Sequence, residues 1–162
     1  MAGAPNSTSA DAWAYYVGSS GWPDDQYVKW GMSVTGTAGG GAAAVPMVRK
    51  AAGTIVQTRY ELILDHAGSN NCTRRRRDSG GTPTNIVVFT QAWNDGDTWE
   101  LRAPGTTLSM WLNGGQVSSN QTDATIASGF PGGTYSSTET AASLDGFEGG
   151  DFAGGGPMFR GT

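Results

Sequence analysis

The chain is 162 residues and 16.8 kDa, which is the size of one domain with room for a real core. Glycine supplies 26 residues, charged residues only 15%, and there are two Lys and four Glu, a composition that excludes a helical bundle and an α/β fold and suits an all-β domain rich in turns. Ten basic against fourteen acidic residues give a net charge of −4 and a pI near 4.7, which speaks against nucleic acid as a partner.

Met1-Ala2-Gly3-Ala4-Pro5-Asn6 has no basic segment and no apolar run, so no secretory signal is expected and synthesis is assigned to a host cytoplasm. No apolar run approaches the roughly 18 residues of a membrane helix, so membrane insertion is not expected. Cys72 is the single cysteine, so no intrachain disulfide can form. Residues 1–11 read as a flexible arm, 12–150 as the β-domain and 151–162 as a glycine-rich tail.

Trp13 to Val17 reads as a short strand. Gln26 to Thr35 alternates, with Val28, Trp30, Met32 and Val34 on one side and Tyr27, Lys29, Gly31 and Ser33 on the other. A period of two marks a half-buried strand. Ala42 to Lys50 reads as a strand buried on both faces, and Pro46 predicts an edge or a bulge there. Ile55 to His66 is β-rich, best at Tyr60 to Asp65; Cys72 to Asp78 and Ile86 to Thr90 follow as strands. Asn94-Asp95-Gly96-Asp97 is a turn before Thr98 to Ala103, where Trp99 and Leu101 oppose Glu100 and Arg102. Thr106 to Leu112 turns Leu108, Met110 and Leu112 inward, and Asn113-Gly114 signals a tight hairpin returning through Gln116 to Ser119. Gly129 to Gly133 reads as a loop and Ala141 to Phe147 as the last strand. Nine or ten short strands with regular turns predict a sandwich or barrel.

The second half carries a series of motifs: Tyr60-Glu-Leu-Ile-Leu-Asp65, Trp93-Asn-Asp-Gly-Asp97, Trp99-Glu-Leu101, Gly105-Thr-Thr-Leu-Ser-Met-Trp-Leu-Asn-Gly114, Asp123-Ala-Thr-Ile-Ala-Ser-Gly129, Pro131-Gly132 and Leu144-Asp145-Gly146-Phe147-Glu148. This series resembles the concanavalin A-like (laminin-G-like) jelly-roll domains of phage and bacterial surface proteins, over about residues 24–150 and best at 60–150. The resemblance implies a concanavalin-like jelly-roll β-sandwich of two antiparallel sheets. Such domains often begin with an aromatic and acidic strand paired to the last one; residues 1–21 depart from that pattern.

The resemblance points to a non-enzymatic protein of a virion surface, decorating a capsid or tail as a homo-oligomer among other virion proteins. Weak, multivalent binding to a host-surface polysaccharide would accompany that role. A free carbohydrate-binding lectin module is the alternative, and a jelly-roll glycoside hydrolase the second alternative. Trp111 falls on the face opposite the core residues, and an outward Trp beside hydroxyl and amide groups can stack on a sugar. Trp111, Asn113, Glu100 and Arg102 are therefore the candidate glycan-binding residues. Arg74-Arg75-Arg76-Arg77 splits into two pairs on opposite faces of a strand. A solvated edge, or pairing with Glu61 and Asp65, explains the run; Arg74 and Arg76 are candidate contacts to an acidic partner. Phe152, Met158 and Phe159 are candidate anchors through which the tail docks on a neighbouring subunit.

No catalytic residue is assigned. Glu61 and Asp65 share a face but sit roughly 13 Å apart along a strand, too far for the carboxylate pair of a retaining glycosidase. Glu100, or Asp145 with Glu148, could approach in space, but the sequence does not show it. His66 lacks a visible nucleophile. The turns at Asp24-Asp25, Asp65 with Asn70-Asn71, and Asp95-Gly96-Asp97 are oxygen-rich, so calcium is conceivable, but Asp and Asn are ordinary turn residues and no cofactor is expected.

Overall fold

The computed structural model describes residues 11–15, 22–34, 43–51, 58–65, 70–136, 142–152 and 159–160. The described residues hold thirteen strands and no helix. They are β1 (Asp11–Tyr15), β2 (Gln26–Val34), β3 (Ala43–Lys50), β4 (Arg59–Asp65), β5 (Asn71–Arg77), β6 (Pro83–Thr90), β7 (Thr98–Ala103), β8 (Thr107–Leu112), β9 (Gly115–Gln116), β10 (Gln121–Thr122), β11 (Phe130–Ser136), β12 (Ala142–Asp151) and β13 (Phe159–Arg160).

The strands form two antiparallel sheets. The first runs β1-β11-β3-β4-β5-β6 and the second β10-β8-β7-β2-β12-β13, with β9 hairpinned onto β8. The inward residues of both sheets meet between them: Val28, Trp30 and Leu101 from the second, Val48, Leu62 and Leu64 from the first, all fully buried. The alternation expected of β2 is present from Tyr27 to Met32, and that of β7 over its whole length; the side chains of Ser33 and Val34 lie outside the described residues. The Asn113-Gly114 hairpin is equally plain: φ is 50° and 81° at the two turn positions, and Leu112 pairs with Gly115. Positive φ at both positions is the backbone of a type I′ turn, which Asn-Gly adopts at low cost.

Four expectations are corrected. Gly129 to Gly133 is not a loop; Phe130–Ser136 is a strand inside the first sheet, between β1 and β3. Its Pro131, Gly132 and Gly133 carry no alternation to read, yet all three are buried. Pro46 does not lie at an edge: β3 is interior, and Pro46 faces Gly133 on β11. The β4 side absorbs it, where pairing runs through Ala44 and Met47 and is interrupted between them. A proline lacks the donor that this ladder position needs. Of the two readings of the arginine run, the edge strand is overturned, because β6 covers the free side of β5, while the pairing with Glu61 on the neighbouring β4 is present through Arg75 and Arg77. The strand ending at Phe147 runs on to Asp151 and is followed by Phe159–Arg160, which pairs with Glu148 and Gly149 of the same chain.

Candidate functional site

The second sheet turns a mixed polar and aromatic face away from the core. Register fixes its rows. One runs Gln116, Trp111, Glu100, Lys29, Glu148 across β9, β8, β7, β2 and β12. A second, two residues along, runs Ser109, Arg102, Tyr27, Gly150. Each strand alternates, so the residues next to Tyr27, Lys29, Glu100, Arg102 and Trp111 along β2, β7 and β8 face the core.

Arg102 is the centre of this face. Its guanidinium grips the Glu100 carboxylate with two hydrogen bonds, Nε to Oε1 at 2.7 Å and Nη2 to Oε2 at 2.8 Å. The fork-to-fork geometry fixes its plane. The Arg102 Cζ lies over the Trp111 ring, 3.9 Å from the centroid, and over the Phe152 ring, 5.4 Å from the centroid. The cation is within cation–π range of both aromatic side chains. Trp111 is half-buried, and its indole N–H donates to Ser109 Oγ at 3.1 Å. Phe152, 38% exposed, meets the Tyr27 ring edge-on at 5.6 Å. The Tyr27 hydroxyl donates to Glu148 Oε1 at 2.7 Å. Gly150 makes that reach possible: a Cβ there would stand 2.8 Å from the Tyr27 ring.

The structure thus brings Trp111, Glu100 and Arg102 together, and adds Tyr27, Lys29, Glu148 and Phe152. The outward side of β2 already showed Tyr27 and Lys29 in the sequence; what sequence could not show is that β2 lies beside β7. Asn113 serves the hairpin instead. Its Oδ1 accepts from Thr98 N at 2.9 Å and its Nδ2 donates to Asp97 Oδ1 at 2.7 Å.

The arginine run divides as its period requires, with a correction. Arg74 is fully buried between the sheets and presents nothing to a partner. It donates to the Leu108 carbonyl at 2.7 Å and to that of Ser119 at 3.4 Å. Burial draws its guanidinium down to about 10, still charged at neutral pH. Arg76 pairs with Asp123 and donates to Thr125 Oγ1 at 2.9 Å. The Tyr60 hydroxyl also engages Asp123 Oδ1, at 2.9 Å, and burial pushes it up to about 12.

Arg75 and Arg77 project from the opposite face of β5, the outer face of the first sheet. Glu61, fully buried on β4, accepts from Arg59 Nε at 2.6 Å, from Arg77 Nε at 2.7 Å and from Arg75 Nε. Burial alone would raise the Glu61 carboxyl, but the Arg59 and Arg75 guanidiniums outweigh it and hold the group below the usual carboxylate range. Glu61 is thereby an ionised salt-bridge centre, unsuited to act as a glycosidase acid. Among the described residues no three His, Cys, Asp or Glu side chains cluster as a metal site. Asp97 Oδ2 accepts from Asn94 N at 2.6 Å and Asp25 Oδ1 from Gly105 N at 2.6 Å, so both serve turns. The Asp65 side chain, His66 and Met158 lie outside the described residues, as does the side chain of Phe159.

The two sheets, their core and their crossovers decide the architecture. The fold is a concanavalin-like jelly roll. No protein-family model matches the chain, and no curated protein matches its sequence significantly. Solved structures do match. The carbohydrate-binding module CBM66 from Bacillus subtilis superposes with a TM-score of 0.68 at 16% identity, over 90% of this chain and 84% of that one. The exoplasmic/lumenal domain of VIP36, in a form bound to Ca2+ and Man3GlcNAc, gives 0.62 at 11% identity, over 81% and 70%. The Caenorhabditis elegans galectin LEC-6 gives 0.54 at 12% identity, over 91% and 91%. At these identities the likeness is one of fold.

Proposed function

We propose that this jelly roll is a non-enzymatic, lectin-like module that binds a neutral saccharide on the outer face of its second sheet. The Trp111–Arg102–Phe152 stack carries the reading. An aromatic ring fixed beside a rigid guanidinium–carboxylate pair offers what a sugar needs: an apolar surface for ring C–H groups and donors and acceptors for its hydroxyls. The face is also balanced in charge, with Arg102 and Lys29 beside Glu100 and Glu148, which favours an uncharged ligand. The carbohydrate-binding neighbours support the assignment by fold.

Display on a virion, with repeated copies multiplying weak contacts to a host polysaccharide, is part of the same proposal. It rests on the motif resemblance over residues 24–150. The sheet face itself fits a free binding module equally well.

The test is a neutral oligosaccharide array, followed by calorimetry on the best ligand. Trp111→Ala is expected to weaken that binding by about 2 kcal/mol, roughly 30-fold. The substitution site is half-buried on a sheet exterior, so the melting temperature should move little. An array without a hit, or full affinity in the variant, would overturn the reading.

A further inference from the structure

The outer face of the first sheet holds an imbalance of charge that the saccharide face does not explain. Glu61 divides one negative charge among three guanidiniums. Among the described residues it is the only carboxylate paired with Arg75 and Arg77. Both arginines are bound through Nε, which leaves their Nη ends directed away from the buried carboxylate. Arg77 Nη1 donates to the Gly81 carbonyl at 2.8 Å; Arg77 Nη2 and both Arg75 Nη groups have no acceptor among the described residues. The side chains are 23% and 24% exposed, so these ends reach solvent.

Among the described residues no carboxylate besides Glu61 pairs with the two arginines. Their cross-strand neighbours on β6 are Asn85 and Pro83, both uncharged. Asp78 ends the strand, and its Oδ1 accepts from Gly80 N at 3.0 Å and Thr82 N at 2.9 Å. The crowding is felt by Arg59, whose guanidinium is drawn down by burial first and by Arg77 and Arg75 in addition. Two arginines at i and i+2 on one strand face stand roughly 7 Å apart along the chain. Held by a common carboxylate, they are pre-oriented forks for oxygen anions, the geometry in which guanidinium binds best.

We infer that Arg75 and Arg77 form a second ligand site, on the sheet opposite Trp111, that takes the sulfate ester or uronate carboxylate of an acidic saccharide. The oxyanion preference stands on the arginine geometry. That its carrier is a saccharide rests on the function proposed above, and the net charge of −4 disfavours nucleic acid as the carrier.

The experiment uses the wild-type chain and NMR of the arginine Nε–H signals, titrated with a dextran sulfate oligosaccharide and, separately, with an oligogalacturonate. Arg75 and Arg77 signals should shift with at least one of the two, and the responding ligand identifies sulfate or carboxylate as the group. Arg75→Gln, which leaves Glu61 with two partners, should weaken that ligand at least 10-fold; Arg75→Lys, which keeps the charge without the fork, should fall between. Raising the salt should weaken it further. Trp111→Ala should leave it unchanged, so failure of the neutral-sugar reading would be seen separately. Silent Arg75 and Arg77 signals with both ligands, or equal affinity in Arg75→Gln, would overturn the site. Tighter binding of a single-stranded oligonucleotide than of either saccharide would overturn the saccharide as its carrier.

Discussion

Glu61→Gln is expected to destabilise the folded chain by about 3 kcal/mol or more, read as a fall in the urea midpoint at neutral pH. The amide is almost the same size as the carboxylate, so packing is not the cause. The loss comes from Arg59, which is 3% exposed and cannot turn to solvent, and from Arg75 and Arg77, which would face a neutral group carrying donors of its own. The two outer arginines can relax towards water, which keeps the cost at the lower end of the range for a broken buried pair.

The same residue sets an acid limb. The Glu61 carboxyl is held below its ordinary value in the folded chain, and Asp123 is too: burial would raise Asp123, but hydrogen bonds from Thr125 and Tyr60 and the charge of Arg76 prevail. A depressed carboxyl pKa contributes stability that is complete above the unfolded value, near 4.3 for Glu and 3.9 for Asp, and is lost as pH falls through the folded value. Wild-type stability should therefore drop below about pH 4. Glu61→Gln, already lacking that contribution, should show a shallower drop over the same interval. A loss under about 1 kcal/mol at neutral pH, or an unchanged acid limb, would show that the arginines do not depend on Glu61.

The parts of this fold legible in the sequence are those whose signal is local. Trp99 and Leu101 against Glu100 and Arg102 on β7, and Asn113-Gly114 between β8 and β9, lie in two consecutive hairpins, whose faces could be assigned from period and turn chemistry. Trp111, Glu100 and Arg102 came together for that reason. Tyr27, Glu148 and Phe152 join them only through the pairing of β2 with β7 and β12, contacts separated by most of the chain. Pro131, Gly132 and Gly133 hid a strand because proline lacks a ladder donor and glycine has no side chain, so neither the propensity nor an alternation pointed to one.

The arginine run shows a different limit. Its period says that two arginines face each way, and desolvation says that a core-facing pair needs partners. The neighbouring strand offered Glu61, which Arg75 and Arg77 do meet, but nothing in the sequence located the partners of Arg74 and Arg76. Arg74 is accommodated between the sheets because the carbonyls of Leu108 and Ser119 are turned towards it, and Arg76 because Asp123 reaches back from a loop 47 residues later. Carbonyl acceptors have no signature in the sequence, so burial of Arg74 was invisible there.

Gly129→Ala is expected to cost about 3 kcal/mol or more, because its neighbour cannot yield. Gly129 has a φ of 146°, and a Cβ built there would stand 2.4 Å from the Arg49 carbonyl carbon, 2.6 Å from its oxygen and 2.7 Å from the Lys50 oxygen. The Arg49 backbone is itself held in a left-handed conformation, φ 54°. Its side chain, 2% exposed, fastens three loops at one end of the sandwich. It donates to Asp24 O at 2.9 and 2.7 Å, to Ile126 O at 2.9 Å, to Ala103 O at 3.1 Å and to Gly105 O. Gln26 ties the same end, accepting from Arg49 N at 3.0 Å and donating to Pro23 O at 2.8 Å and Gly129 O at 2.7 Å. Relief of the clash would have to pull Arg49 or Gly129 out of this network and leave buried carbonyls unpaired. Gly114→Ala is the comparison: φ is 81°, but nothing lies within 4 Å, so backbone strain of about 1 kcal/mol is the whole cost. Denaturant midpoints should separate the two variants by about 2 kcal/mol. Amide exchange should quicken at residues 24–26, 103–105 and 126–129 in Gly129→Ala only. Equal losses in the two variants would mean that the Arg49 network yields to the added methyl group.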